Sequence, residues 1–328
     1  MRSFGSLVLA SMAVSMVSAH YTFSGLLVNG QLVGDEFQYV REHTRGYMPS
    51  FREEAATSED FRCNQGALSG NNTDVYTVKA GDVVGLRQAF GAGGIEHPGP
   101  TQLYLSKAPD SVKDYDGSGD WIKVHQGLIC KENPVAEDLQ NDGWCIWGEN
   151  HISFTVPDTI PDGEYLLRAE HIALHGAHVG RAEFYYACAQ IKVEGSSASS
   201  LPSKPSTKIP GVYAVDDEAI NFSIWAGLTA YPYSPGIDVA NGGQIRGTAD
   251  GSTGDATVDV TDNDSAAESL VQTSTPVAAS SAATAFSTVI AVASSTSIAS
   301  ASTIESSVIS QPSSSRCRLS RRRSVSRI

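Results

Sequence analysis

Basic residues are scarce in this chain: Lys and Arg total 23 against 36 Asp and Glu, a formal charge of −13 over 328 residues. With Arg2 and the six arginines of 316–328 set aside, sixteen basic residues face the same 36 acidic ones. A surface of that sign repels phosphate backbones and anionic lipid, so neither nucleic acid nor a membrane surface is an expected partner. Long apolar runs are lacking too. The stretch FGSLVLASMAVSMV at 4–17 is shorter than the ~20 residues a spanning helix needs. Cysteine is sparse, with five in all (63, 130, 145, 188 and 317) and no CxxC spacing, which argues against a thiolate metal site.

What is present at the start is a leader. Met1-Arg2, the apolar run and the small residues Val17-Ser18-Ala19 form a secretory signal over 1–19, cleaved to leave His20 first. Glycosylation sequons at Asn71, Asn221 and Asn263 agree with a secreted, extracellular protein. Cys317 belongs to a basic tail, and the other four cysteines allow three pairings that sequence does not choose among. A Cys130–Cys145 bridge would close a loop worth roughly 3 kcal/mol, and Cys63–Cys188 would then tie an early loop to a late strand.

Residues 20–195 read as short β-rich runs split by turn signals: YTFSGLLVNGQLVG, DVYTVKAGDVVGLRQAF, TQLYLSKA, HISFTVPDTIPDGEYLLRAEHIAL and EFYYACAQIKVEG. Runs paired around NG, AGD and PDG predict hairpins. EYLLRAEHIALH has helical propensity, but its place after Pro161-Asp162-Gly163 predicts a strand returning along ISFTV. The fold class is all-β, an antiparallel β-sandwich with long loops. Residues 203–240, aromatic and proline-bearing without periodicity, predict an arm around the sandwich. The folded domain is placed at 20–240. A low-complexity linker or tail follows at 241–315, where 266–315 is nearly all Ser, Thr, Ala and Val and Phe286 is the lone aromatic. Residues 316–328 are a basic tail with no physical account.

The histidines are uneven. His97 lies in GGIEHPGP and His171, His175 and His178 lie in HIALHGAH, while His43, His125 and His151 stand alone. A terminal His20 would offer both its α-amine and its Nδ1 to one metal, and a third nitrogen from another imidazole completes a T-shaped set. Such nitrogen donors in a plane select copper.

AHYTF at 19–23, HPGPTQLYLSKA at 97–108, YLLRAEHIALHGA at 165–177 and AEFYYACAQIKV at 182–193 resemble the fungal lytic polysaccharide monooxygenases of auxiliary activity family nine. The blocks keep that family's order, and KIPGVY at 208–213 with the Tyr-Pro-Gly region near 231–236 extends the resemblance to about 240. It implies an immunoglobulin- or fibronectin-like sandwich with one copper ion, cycling between Cu(II) and Cu(I), on His20 and His97. Tyr185 would lie on the metal axis, with Tyr186 competing for that role, and His175 would act from beside the metal. Glu183 stands where the family usually has Gln, and it could pair with His175 or Arg181. The usual His directly after the arginine of this block is replaced by Ala169.

The implied reaction is oxidative cleavage of β-1,4 glycosidic bonds in cellulose or related β-glucans at C1 or C4, using O2 or H2O2. Electrons would come from an external donor, a small-molecule reductant or a secreted redox enzyme such as cellobiose dehydrogenase. Tyr21, Tyr231 and Tyr233 are expected to stack on sugar rings, and the protein to work as a monomer. Two other classes compete. A zinc hydrolase using His171 and His175 lacks the HExxH order, and a non-catalytic copper- or carbohydrate-binding sandwich would keep the fold without oxidation.

Overall fold

The structure, a computed structural model, describes residues 20–261 apart from positions 90, 92, 203 and 204. The leader, Asn263, most of the linker and the basic tail lie outside the described residues. Along the chain run β1 (Phe23–Val28), β2 (Gln31–Val33), β3 (Ser50–Phe51), β4 (Tyr76–Lys79), β5 (Val83–Gln88) and β6 (Thr101–Lys107). These are followed by β7 (Ile122–Gly127), β8 (His151–Thr155), β9 (Gly163–Ala173), β10 (Glu183–Glu194), β11 (Val239–Arg246) and β12 (Thr257–Asp259).

They form a β-sandwich. One sheet has the order β2-β1-β5-β8; the other runs β12-β11-β7-β6-β9-β10-β3, with β4 also on β10. Pairing is antiparallel except for β11 beside β7 and β4 beside β10.

Only one of the three expected hairpins pairs its own flanks. Asn29 and Gly30 adopt φ of 50° and 75°, as a tight two-residue turn requires, and set Val28 opposite Gln31. The Gly81 turn instead carries the chain between sheets, because β4 pairs with β10 while β5 pairs with β1 and β8. The stretch 156–162, which holds the Pro161-Asp162 turn, does the same between β8 and β9. Burial gives the reason: β8 alternates half-buried and buried positions and suits the small sheet, whereas β9 is buried almost throughout and lies between β6 and β10. EYLLRAEHIA is thus a strand whose backbone pairing on both sides overrides its helical propensity.

The outer face of β9 is covered by the arm, where Ile209, Tyr213, Ile220, Phe222, Ile224 and Tyr231 are buried. Arg168 and Glu170 meet beneath it at 2.7 Å, fully buried. Tyr213 donates to Glu170 and accepts from Gln102 Nε2 at 2.8 Å, which anchors the arm. The chain then enters β11, which runs across position 240, where composition had placed the domain's end. It is still paired at Asp259, so the sheet takes in part of the segment read as linker.

Disulfides join Cys63 to Cys188 and Cys130 to Cys145. Arg41 reinforces the first. It is fully buried, and its guanidinium donates to Gln190 Oε1 on β10 and to the carbonyls of Ala67, Leu68, Val112 and Tyr115.

Candidate metal centre

The site collects at the ends of three strands. His20 lies just before β1, His97 in the loop entering β6, and His175 just past β9, all half-buried. The His97 loop is zipped onto β9, with Ile172 N donating to Pro100 O at 3.0 Å and Leu174 N to Pro98 O at 2.8 Å. Gly99 makes that approach possible. At φ 151° a Cβ there would lie 1.9 Å from the Ile172 carbonyl, so no other residue fits. The prolines on either side need no N–H partner. This zipper brings the His97 and His175 rings into a stack 4.8 Å between centroids.

Glu183 and Tyr185, two apart on β10, share a face. The Tyr185 ring lies 6.3 Å from His20 and 5.8 Å from His97, and the two histidine rings are 6.5 Å apart at 78°. Two metal–nitrogen bonds of about 2 Å each plus the ring radii span that separation, so the residues fit a metal held between the imidazoles. In a chain that begins at His20, the His20 backbone nitrogen would be available as a third donor. The set is neutral and nitrogen-rich, as copper prefers. Tyr186 faces away, its hydroxyl 2.7 Å from Ser50 Oγ. Among the described residues one three-group cluster of metal-binding types stands elsewhere, Cys130, Cys145 and Asp255, and its sulfurs are consumed in a disulfide.

Glu183 is the electrostatic centre. It accepts from the Tyr185 hydroxyl at 2.6 Å and lies 3.4 Å from His175 Nε2. Burial raises its pKa, but the contacts with His175 and Tyr185 outweigh this and hold the carboxyl down at about 2. Burial and the hydrogen bond to Glu183 push Tyr185 far above the ordinary phenol range, so it stays protonated. Arg181, the other expected partner, instead lies over the Phe51 ring at 3.8 Å.

Two of the three tyrosines expected on the substrate face are interior. Tyr21 is 5% exposed, stacks on Tyr185 at 4.2 Å and hydrogen-bonds His171 Nδ1, so it backs the metal site from within. Tyr231 is 2% exposed, packs on Trp144 and Phe222, and donates to Ala219 O. Tyr233 is exposed and donates to Asp217. Side-chain direction is the reason: Tyr21 precedes a wholly buried strand, and Tyr231 pins the arm. Asn71 is exposed, whereas Asn221 already donates its amide to Val215 O and Asp217 O.

Sequence reasoning offered His171 only as a ligand of the zinc alternative and did not single out Trp225. His171, fully buried, pairs across β9 and β10 with Tyr185, and burial with the neighbouring His97 and His175 drives its pKa down to about 3. The strand parity of β9, which puts His171 on the face of Leu167 and Ala169, was the available signal. His171 and His175 therefore sit on a strand and its exit, away from the helical spacing of a zinc hydrolase. Trp225 is exposed and donates from Nε1 to His175 O at 3.0 Å. Nothing in the aperiodic arm marked it.

Comparison with known proteins follows this geometry. The sequence profile of Auxiliary Activity family 9 (formerly GH61) matches residues 20–233. The chain is 47% identical over 236 residues to AA9 family lytic polysaccharide monooxygenase G of Aspergillus tamarii, covering 72% of this chain and 70% of that one. To monooxygenase A of Aspergillus fumigatus it is 44% identical over 251 residues, 74% and 84% of the two chains. A solved cellulose-active polysaccharide monooxygenase from M. thermophila superposes with a TM-score of 0.56 at 25% identity, covering 67% of this chain and 98% of that one. The chain therefore belongs to Auxiliary Activity family 9, the lytic polysaccharide monooxygenases, a family of copper-dependent oxidoreductases.

Proposed function

We propose that the secreted protein, cleaved behind Ala19, holds one copper ion through the His20 amine and Nδ1 and the His97 imidazole. In this reading it cleaves β-1,4 bonds of cellulose or a related β-glucan at C1 or C4, as a monomer served by an external electron donor. When bound, copper supplies a Cu(II)/Cu(I) couple that activates O2 or H2O2 for oxidation of a sugar C–H bond. The protein's own groups shape the reaction around it. Tyr185, kept protonated and tied to Glu183, caps one side of the metal position as a neutral oxygen. The buried Tyr21–Tyr185 stack excludes water from behind, so the open side faces the substrate. His175, held between His97 and Glu183 with its carbonyl tied to Trp225, is placed to donate a hydrogen bond beside the metal.

Trp225, 52% exposed and fixed by its hydrogen bond, takes the sugar-stacking role that Tyr21 and Tyr231 leave open, with Tyr233 at the rim. The observation that carries the reading is the grouping of half-buried His20, His97, His175 and Glu183 around the buried Tyr185.

The test is Cu(II) titration with EPR on protein starting at His20, beside a form that retains Ala19. Tight binding with a nitrogen-rich type 2 spectrum in the first and binding weaker by about two orders of magnitude in the second is expected. Equal, weak binding in both removes the terminal site. Separately, Trp225→Ala is expected to weaken adsorption to cellulose by about tenfold, some 1.4 kcal/mol, with the EPR spectrum unchanged; undiminished adsorption overturns the stacking role.

A further inference from the structure

A cleft lies between the sheets, and none of His20, His97, His175, Glu183 or Tyr185 lines it. Strand register sets His171, Thr101, Gly127, Arg246 and Thr257 in one cross-strand row over β9, β6, β7, β11 and β12. Directly opposed residues point to the same face, so this is a row of side chains broken where Gly127 has none. The break opens a cleft of about 340 Å³, at the lower end of the roughly 300–1,000 Å³ that holds small ligands. A Cβ at Gly127 would sit 2.6 Å from Thr101 Oγ1 and 3.7 Å from Cys145 Cβ, so the gap depends on glycine. Ile152 and Phe154 of β8 form an apolar wall.

The charge of the lining selects the ligand. Glu149 and Arg246 are its two charged residues, joined at 2.7 Å, and Asp255 holds the Arg246 Nε at 2.6 Å. His125 and His151 also line it; burial, with nearby cations, pushes His125 down to about 3, and burial lowers His151, so both are neutral. His125 is 6% exposed and its Nδ1 has no hydrogen-bond partner. An anion meets the Glu149 carboxylate and a cation meets the guanidinium. An uncharged molecule with neighbouring hydroxyls finds a donor fork and an acceptor side by side, with an apolar wall for its C–H face.

We propose that this cleft binds an uncharged polyol of one or two sugar rings, as a soluble-sugar site separate from the metal centre. It does not depend on copper or on oxidation of a polysaccharide.

The test is an NMR titration of the metal-free protein starting at His20 with cellobiose and glucose, and with gluconate and glucosamine as charged analogues. Saturable amide shifts at Gly127, Glu149 and Arg246 are expected, with the charged analogues weaker by about tenfold. Thr257→Trp, at an exposed rim position, should abolish the shifts while leaving the melting temperature unchanged; if it fails to fold, Glu149→Gln should weaken them about tenfold. Absence of saturable shifts, shifts confined to the Trp225 and His175 surface, equal response to the charged analogues, or shifts that survive in the variant that folds overturns the site.

Discussion

Glu183 places a full negative charge against the phenol of Tyr185 and the ring of His175, where the family resemblance implies an uncharged amide. At an effective dielectric near 20, two unit charges about 6 Å apart interact by a few kcal/mol. A carboxylate beside a metal held by His20 and His97 would therefore favour the oxidised ion over the reduced one. Glu183→Gln is therefore expected to raise turnover several-fold on cellulose with copper affinity changed by less than about threefold, measured by product release beside calorimetric titration. Unchanged turnover would overturn this role for the carboxylate. The residue was legible in the sequence as a departure from a pattern, but its two partners were not. Arg181 and His175 were equally eligible until the turn at 174–181 sent one to Phe51 and kept the other beside the carboxylate.

Among elements, β10 carries Glu183 and Tyr185 of the site and also Cys188 of the longer disulfide loop. The bridge from Cys63 to Cys188 spans 125 residues and that from Cys130 to Cys145 spans 15. In the chain-entropy model these contribute about 5 and about 3 kcal/mol. Replacing Cys63 and Cys188 by Ala should lower the melting temperature more than replacing Cys130 and Cys145, by calorimetry on each variant; the reverse order would show that the buried Arg41 clamp holds β10 without the bridge. The strands themselves were largely readable from turn signals and β-rich runs. Partner choice was not, because a turn such as Pro161-Asp162-Gly163 ends a strand without saying which sheet takes the next one.

For the whole molecule, two buried histidines outside the metal-binding group, His43 and His125, add to the acid response that His171 also carries. His43 and His125 are 9% and 6% exposed. Burial, with Arg45 beside one and Arg246 and Lys123 beside the other, pushes them down to about 4 and about 3 from 6.5. The unfolded chain binds these protons first as pH falls, so their stabilising contribution is complete above about pH 6.5 and is lost toward about pH 3. Urea unfolding should show roughly 2 kcal/mol lost per histidine between about pH 7 and about pH 4.5. His125→Gln should flatten the slope; an unchanged slope would place the acid sensitivity elsewhere.

The chain's own order of residues determined the class of fold and the family and marked the candidate donors: alternating β-rich runs can bury a core only as packed sheets, and His20, His97, His175 and Tyr185 stand out by their local motifs. Local pattern is enough for such features because it acts over a few residues. Tertiary structure alone decided that Tyr21 and Tyr231 turn inward, that Trp225 takes the exposed place beside His175, that Gly127 opens a cleft, and that pairing continues past 240. Each of these depends on which side chains meet across strands distant in sequence, and that is settled only when the two sheets and the arm close on one another.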